Sequence, residues 1–151
     1  MITIGFLADY PDTIPTLAKW FREQWPDYYA DLSQEELEKD FLEDTSRDRL
    51  PSRLVAFESN ELVGTIILRE RESLAEFGPE LGGLFVLESH RRHGIGTALV
   101  RAGMKLASEQ GYETVVATTV VAAGILESLG WEFIKTVVHE DGELALYQCK
   151  L

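Results

Sequence analysis

Leu84-Phe85-Val86-Leu87-Glu88-Ser89-His90-Arg91-Arg92-His93-Gly94-Ile95-Gly96-Thr97 runs from an apolar strand through a basic turn into two glycines and a helix start. That order describes a cradle for an anion. The first turn of a helix leaves about four backbone N–H groups without intrahelical partners and carries a partial positive charge, which a phosphate satisfies. Gly94 and Gly96 carry no Cβ to obstruct the approach, and Arg91 and Arg92 add guanidinium donors. Two Gly-rich alternatives fail on the residues themselves. A dinucleotide fingerprint needs Gly or Ala three residues after Gly96, where Leu99 stands, and a P-loop needs Gly-Lys-Ser or Gly-Lys-Thr, where the chain has Gly96-Thr97-Ala98.

Outward from this turn the pattern alternates between sheet and helix. After Gly94, Ile95, Ala98, Leu99, Ala102 and Leu106 recur at helical spacing, and Gly111 stands where a terminator belongs. Upstream, Ile2 to Leu7 reads as a first strand. A helix follows, with Asp12 as its cap, Pro15 in its first turn and Ile14, Leu17, Ala18, Phe21 and Trp25 on one stripe. Ser33-Gln34-Glu35-Glu36 predicts a capping box for a second helix bearing Leu37, Phe41 and Leu42. Arg53 to Glu58 and Leu62 to Arg69 read as a hairpin about Ser59-Asn60-Glu61, and Gly82 to Leu87 as the next strand. Thr114 to Thr119 is a β-branched strand, Ala122 to Leu129 a short helix closed by Gly130, and Phe133 to His139 and Glu143 to Cys149 are strands joined through Asp141-Gly142. With no repeat and no linker-like shift in composition, residues 1–151 read as a single domain.

The chain has 151 residues, with 26 acidic side chains against 14 basic ones and a formal net charge of −12. Nucleic acids and anionic membranes are recognised by a broad excess of Lys and Arg, so neither is expected as a partner, whereas a cationic substrate is compatible. The paired arginines of the central turn, flanked by His90 and His93, are a local exception to that acidic balance. No apolar run approaches the roughly 20 residues of a membrane span, and Met1 to Phe6 does not resemble a signal peptide, so a cytoplasmic protein is expected. The lone Cys149 excludes an internal disulfide, and nothing beside it has metal-ligand spacing, so no metal is expected.

Arg91-x-x-Gly94-x-Gly96 preceded by Leu84-x-Val86 resembles the acyl-CoA signature of the GNAT (Gcn5-related N-acetyltransferase) superfamily. Leu129-Gly130-Trp131 resembles that family's later Leu-Gly-Phe or Leu-Gly-Trp segment. The resemblance implies an α/β (α+β) fold with a central mixed, mostly antiparallel sheet of six to seven strands. About four helices flank it, in the order β-α-α-β-β-β-α-β-α-β-β. It implies acetyl-CoA as co-substrate and a primary amine, on a small molecule or a peptide N-terminus, as acceptor, in a monomer or homodimer. A CoA-binding module without catalysis is the alternative. The backbone near Phe85 and Val86 would pair with the pantetheine arm, and the amides of Arg92, His93, Gly94, Ile95, Gly96 and Thr97 would hold the diphosphate beside Arg91. Glu80, eleven residues before Arg91, matches the position of the family's base glutamate, with Glu76 second. Strand alternation places Glu80 on one face with Gly82, Leu84 and Val86. Two positions depart from the family pattern. Leu126 stands where relatives carry a tyrosine acid, which leaves Tyr147 as stand-in, and Thr119 replaces an asparagine that contacts the cofactor. Trp20, Trp25, Tyr28 and Tyr29 would wall the acceptor side.

Overall fold

A computed structural model describes residues 1–119, 122–139 and 142–151. Strands β1 (Ile2–Phe6), β2 (Ser52–Glu58), β3 (Glu61–Arg69), β4 (Glu80–Val86), β5 (Thr114–Thr119), β6 (Glu132–His139) and β7 (Gly142–Lys150) form one sheet in the order β1-β2-β3-β4-β5-β7-β6. Every neighbouring pair is antiparallel except β4 with β5. Helices α1 (Ile14–Gln24) and α2 (Gln34–Leu42) cover one face, where Leu17, Phe21 and Phe41 meet Val55 and Phe85. On the other face α3 (Ile95–Glu109) and α4 (Ala123–Ser128) bury Leu99, Leu106 and Leu126 against Leu54, Leu81, Val115 and Tyr147. Each helix thus buries one apolar stripe, and alternate strand residues divide between the two faces, with Val116 and Leu146 forming a smaller cluster around Leu74.

Local chemistry explains most of these elements. Ser59 and Asn60 both adopt positive φ, 52° and 69°, which is the two-residue turn that matches the twist of a hairpin, so β2 and β3 pair directly. Ser33 accepts from the Glu36 amide at 3.1 Å and Glu36 accepts from the Ser33 amide at 3.1 Å, completing the expected capping box of α2. At α1 the expected cap is corrected. Asp12 lies in a 3-10 turn, Thr13 occupies the N-cap position, and its hydroxyl donates to the Tyr10 carbonyl instead of capping the helix. The Asp141 half of the turn expected before β7 lies outside the described residues.

Strand β4 departs most from simple alternation. Thr65 pairs with Phe85 and Ile67 with Gly82, so Gly83 and Leu84 together oppose the single residue Ile66. This is a β-bulge, and Gly83 at φ +55° supplies a conformation that L side chains disfavour. The bulge turns the second half of the strand over, so that Leu84 and Val86 pack with the α3 core while Phe85 packs under α1. On its other edge, β4 shares one registered pair with β5, Glu80 with Val116, supported by Val116 N–H donating to Pro79 O at 2.9 Å. Both strands then run on, unpaired with each other, toward their C-terminal ends at Val86 and Thr119. The sheet is therefore split at the end where α3 begins.

Candidate active site

The central turn has the geometry of an anion cradle. Gly94 is the N-cap of α3 at φ +80°, Arg92 also adopts positive φ at 69°, and no side chain caps the helix. Among the described residues, the amides of Arg92 through Thr97 have no acceptor, and the first helical bond is Ala98 N–H to Gly94 O at 3.0 Å. A Cβ on Gly94 would meet nothing within 4 Å, so the approach to these amides is open. The two glycines differ in their reasons. A Cβ on Gly96 would stand 3.1 Å from Ile125 Cδ1, so that glycine serves the packing of α3 on α4. Ile95 is buried in the core and presents only its backbone.

The side chains of the turn are held locally. Arg91 Nε donates to the Val86 carbonyl at 3.1 Å, tying the loop to the last residue of β4. His93 Nδ1 lies 3.2 Å from Glu58 Oε1 and His90 Nε2 lies 3.5 Å from Glu61 Oε2. Arg92 is exposed. Thr119, at the C-terminal end of β5, accepts from the Ala122 amide at 2.7 Å.

Glu80 sits elsewhere than strand alternation predicts. The bulge separates it from Leu84 and Val86, and it lies with Gly82 on the α1–α2 face, where a Cβ on Gly82 would be 3.2 Å from Glu80 Oε1. At 1% exposure its carboxylate is enclosed. Oε1 accepts from Arg69 Nε and Nη2, both at 3.0 Å, while Oε2 accepts from Arg71 Nη1 at 2.8 Å and Thr118 Oγ1 at 3.4 Å. Those contacts occupy the roughly four acceptor sites of a carboxylate. A base needs a lone pair facing the proton it takes, and this one has none spare.

The other candidates are dispersed. Glu76 is exposed in the turn before β4. Tyr147 is buried on the α4 side, its hydroxyl donating to Glu127 Oε1 at 2.6 Å, and that hydrogen bond is the main cause pushing its pKa above the ordinary tyrosine value. The shift makes it a weaker acid than a free tyrosine. Leu126 is a core residue whose carbonyl anchors the Trp131 amide at 3.0 Å.

A cavity of about 540 Å³ opens between α1–α2 and strands β2–β3, away from the central turn. Tyr28 and Tyr29 line it, whereas Trp20 and Trp25 pack on Phe85 instead, Trp20 stacked at 5.3 Å between ring centroids. Asp40, Glu43, Asp44 and Glu70 bring carboxylates to its lining and Arg53 and Arg69 bring guanidiniums. Arg53 lies against the rings of Phe21 and Phe41 and pairs with Asp44 at 3.1 Å. Burial pushes the Asp44 carboxyl up and the Arg53 guanidinium down, each opposed by the attraction of the other. Burial also raises the Tyr29 phenol. None of these charged residues was expected from sequence. The available signal was Arg53 and Arg69 standing directly beside the apolar runs Leu54 to Phe57 and Ile66 to Leu68, which calls for a buried partner.

Similarity to known proteins agrees with this architecture. The acetyltransferase (GNAT) family profile matches residues 14–130. The chain belongs to that acetyltransferase family. Among solved structures, an aminoglycoside 6'-N-acetyltransferase from Enterococcus faecium is 21% identical over 99% of this chain and 96% of its own, with a TM-score of 0.74. An aminoglycoside 6'-N-acetyltransferase complexed with coenzyme A is 21% identical, with coverages of 99% and 96% and a TM-score of 0.77. The protein yncA from Salmonella typhimurium, solved with its cofactor acetyl-CoA, is 17% identical, with coverages of 99% and 94% and a TM-score of 0.77. At such identities the likeness is one of fold. No curated protein matches the sequence significantly. Among the described residues no helix is long and apolar enough to cross a membrane, and no cluster of three metal-binding side chains occurs.

Proposed function

We propose that this acetyltransferase moves the acetyl group of acetyl-CoA onto a primary amine of a small molecule, by direct attack within a ternary complex. One observation carries the reading: among the described residues, six consecutive amides around Gly94 lack acceptors at the same end of the molecule where β4 and β5 part. In this reading the diphosphate sits on the amides of Arg92 to Thr97, with Arg92 free to approach it, and the pantetheine arm lies in the split beside Phe85 and Val86. The bulge takes Gly83 and Leu84 out of the β3 ladder, and an amide there is the donor offered to the charge that develops on the thioester oxygen.

The amine enters from the cavity under α1–α2. Asp40 and Glu43 are exposed carboxylates at its edge that favour a cation, and the rings of Tyr28 and Tyr29 offer faces to it. Attack by the amine lone pair on the thioester carbon breaks the C–S bond, and the amine proton and the thiolate must both be accommodated. Glu80 is fully engaged and the Tyr147 hydroxyl is committed to Glu127, so proton exchange with solvent through the open split serves both steps. An assay of thiol release from acetyl-CoA with tyramine, cadaverine, glucosamine and a tripeptide tests the proposal. Amine-dependent release is expected with at least one of the small amines. Binding of acetyl-CoA with no amine-dependent release from any of them would overturn it.

A further inference from the structure

Between β4 and β5 the backbone supplies one registered pair, Glu80 with Val116, before the strands separate. A junction that thin, at the root of an open split, needs another tie, and the Glu80 carboxylate provides it. Its partners come from three places. Arg69 is the last residue of β3, Arg71 lies just beyond that strand, and Thr118 belongs to β5. Arg69 also lines the cavity under α1–α2, and its Nη2 lies 3.2 Å from where a Cβ on Gly82 would stand, so the guanidinium occupies space beside β4 that this glycine leaves open.

We infer that Glu80 is a positioning residue that acts through Arg69 and Arg71, pinning the root of the split and fixing Arg69 in the cavity wall, and that it exchanges no proton with the substrate. The inference rests on the proposed placement of the cofactor arm in the split and the amine in the cavity. Two charges support it. Arg69 and Arg71 face a carboxylate that is 2% exposed at its side chain, and protonating that carboxylate would leave two guanidiniums without their counter-ion. Arg69 and Arg71 are 42% and 35% exposed at their side chains, so each reaches from the buried carboxylate toward solvent-accessible space.

Steady-state kinetics across pH on Glu80→Gln and Arg71→Met, using acetyl-CoA and the best amine of the panel above, tests this. Both variants are expected to raise KM for both substrates by about tenfold, while the midpoint of the kcat/KM profile stays at the wild-type pH. The double variant should be little worse than either single one, because both break one network. Glu80→Asp should recover part of the loss. A displaced or missing acidic limb in Glu80→Gln, with the limb intact in Arg71→Met, would make Glu80 a base and overturn the inference. Wild-type KM values in both variants, with only a lower Tm, would reduce the network to a stability element and also overturn it. If Glu80→Gln does not fold, Arg71→Met carries the test alone, since Arg71 is partly exposed and outside the cavity lining. A wild type that releases no thiol sinks the proposed function, whereas an active wild type with unaffected variants sinks this inference only.

Discussion

Strand β4 is seven residues long, and its two ends are built on opposite plans. At Glu80 the strand is paired on both sides, to Arg69 and Val116, and its side chain is locked by two arginines and a threonine. At Val86 it keeps β3 as partner, has parted from β5, and gives its carbonyl to Arg91 of the loop. The bulge at Gly83 and Leu84 is the hinge between these plans. The lesson is that a sheet can part at one end of a strand while buried charged side chains reinforce the other end.

Four substitutions break or sharpen that contrast. The largest effect is expected at the closed end. A Cβ on Gly103 would stand 2.4 Å from Leu81 Cδ2, so α3 touches β4 there with no room for a side chain. Gly103→Val should lower stability by about 2–3 kcal/mol, read as a lower urea midpoint with an unchanged slope. Next comes the hinge. Gly83→Val forces a β-branched residue into φ +55°, at a cost of about 1–2 kcal/mol. Because the bulge also decides which way Leu84 and Val86 point, KM for acetyl-CoA should rise by more than that stability loss implies. If KM is untouched, the bulge is a packing feature and the contrast fails.

The smallest effect is expected far from β4. Ser33→Ala removes the α2 cap at about 1 kcal/mol and should leave both KM values alone. Its pH dependence has a definite sign. The Ser33 backbone and side-chain hydrogen bonds hold the Glu36 carboxyl below its ordinary value of 4.5, so this contribution is full above that pH and is lost as pH falls through the lowered folded value. The Tm difference between wild type and Glu36→Gln should therefore shrink on acidification. A difference that grows would contradict the capping geometry.

How far the sequence could be read follows the range of the interactions. The glycine turn before α3, the α2 capping box and the β2–β3 hairpin are local, and Gly94, Ser33 and Asn60 announce them within a few residues. The mixed sheet of six to seven strands followed from resemblance, whereas residue patterns alone gave element order and the local turns between β2 and β3 and between β6 and β7, but no long-range pairing. The bulge was missed although two adjacent glycines inside a strand, Gly82 and Gly83, are a recognised sign of one. That omission put Glu80 on one face with Leu84 and Val86, whereas its reading as a base came from the family resemblance. The cavity was not legible because Asp40, Arg53 and Arg69 come from α2, β2 and β3 and meet only in three dimensions. Arg69 and Arg71 likewise acquire meaning only once Glu80 is seen between them.

The central claim is that the amides around Gly94 receive the diphosphate of acetyl-CoA. Calorimetric titration of acetyl-CoA into wild type and Gly94→Trp tests it most directly, with thermal unfolding to verify that the variant is folded. Wild type should bind, more weakly as salt rises, and the folded variant should show no measurable heat of binding, because the indole covers the amides and φ +80° is no longer relaxed. Equal affinity in the two proteins, or no binding by wild type, would contradict the account.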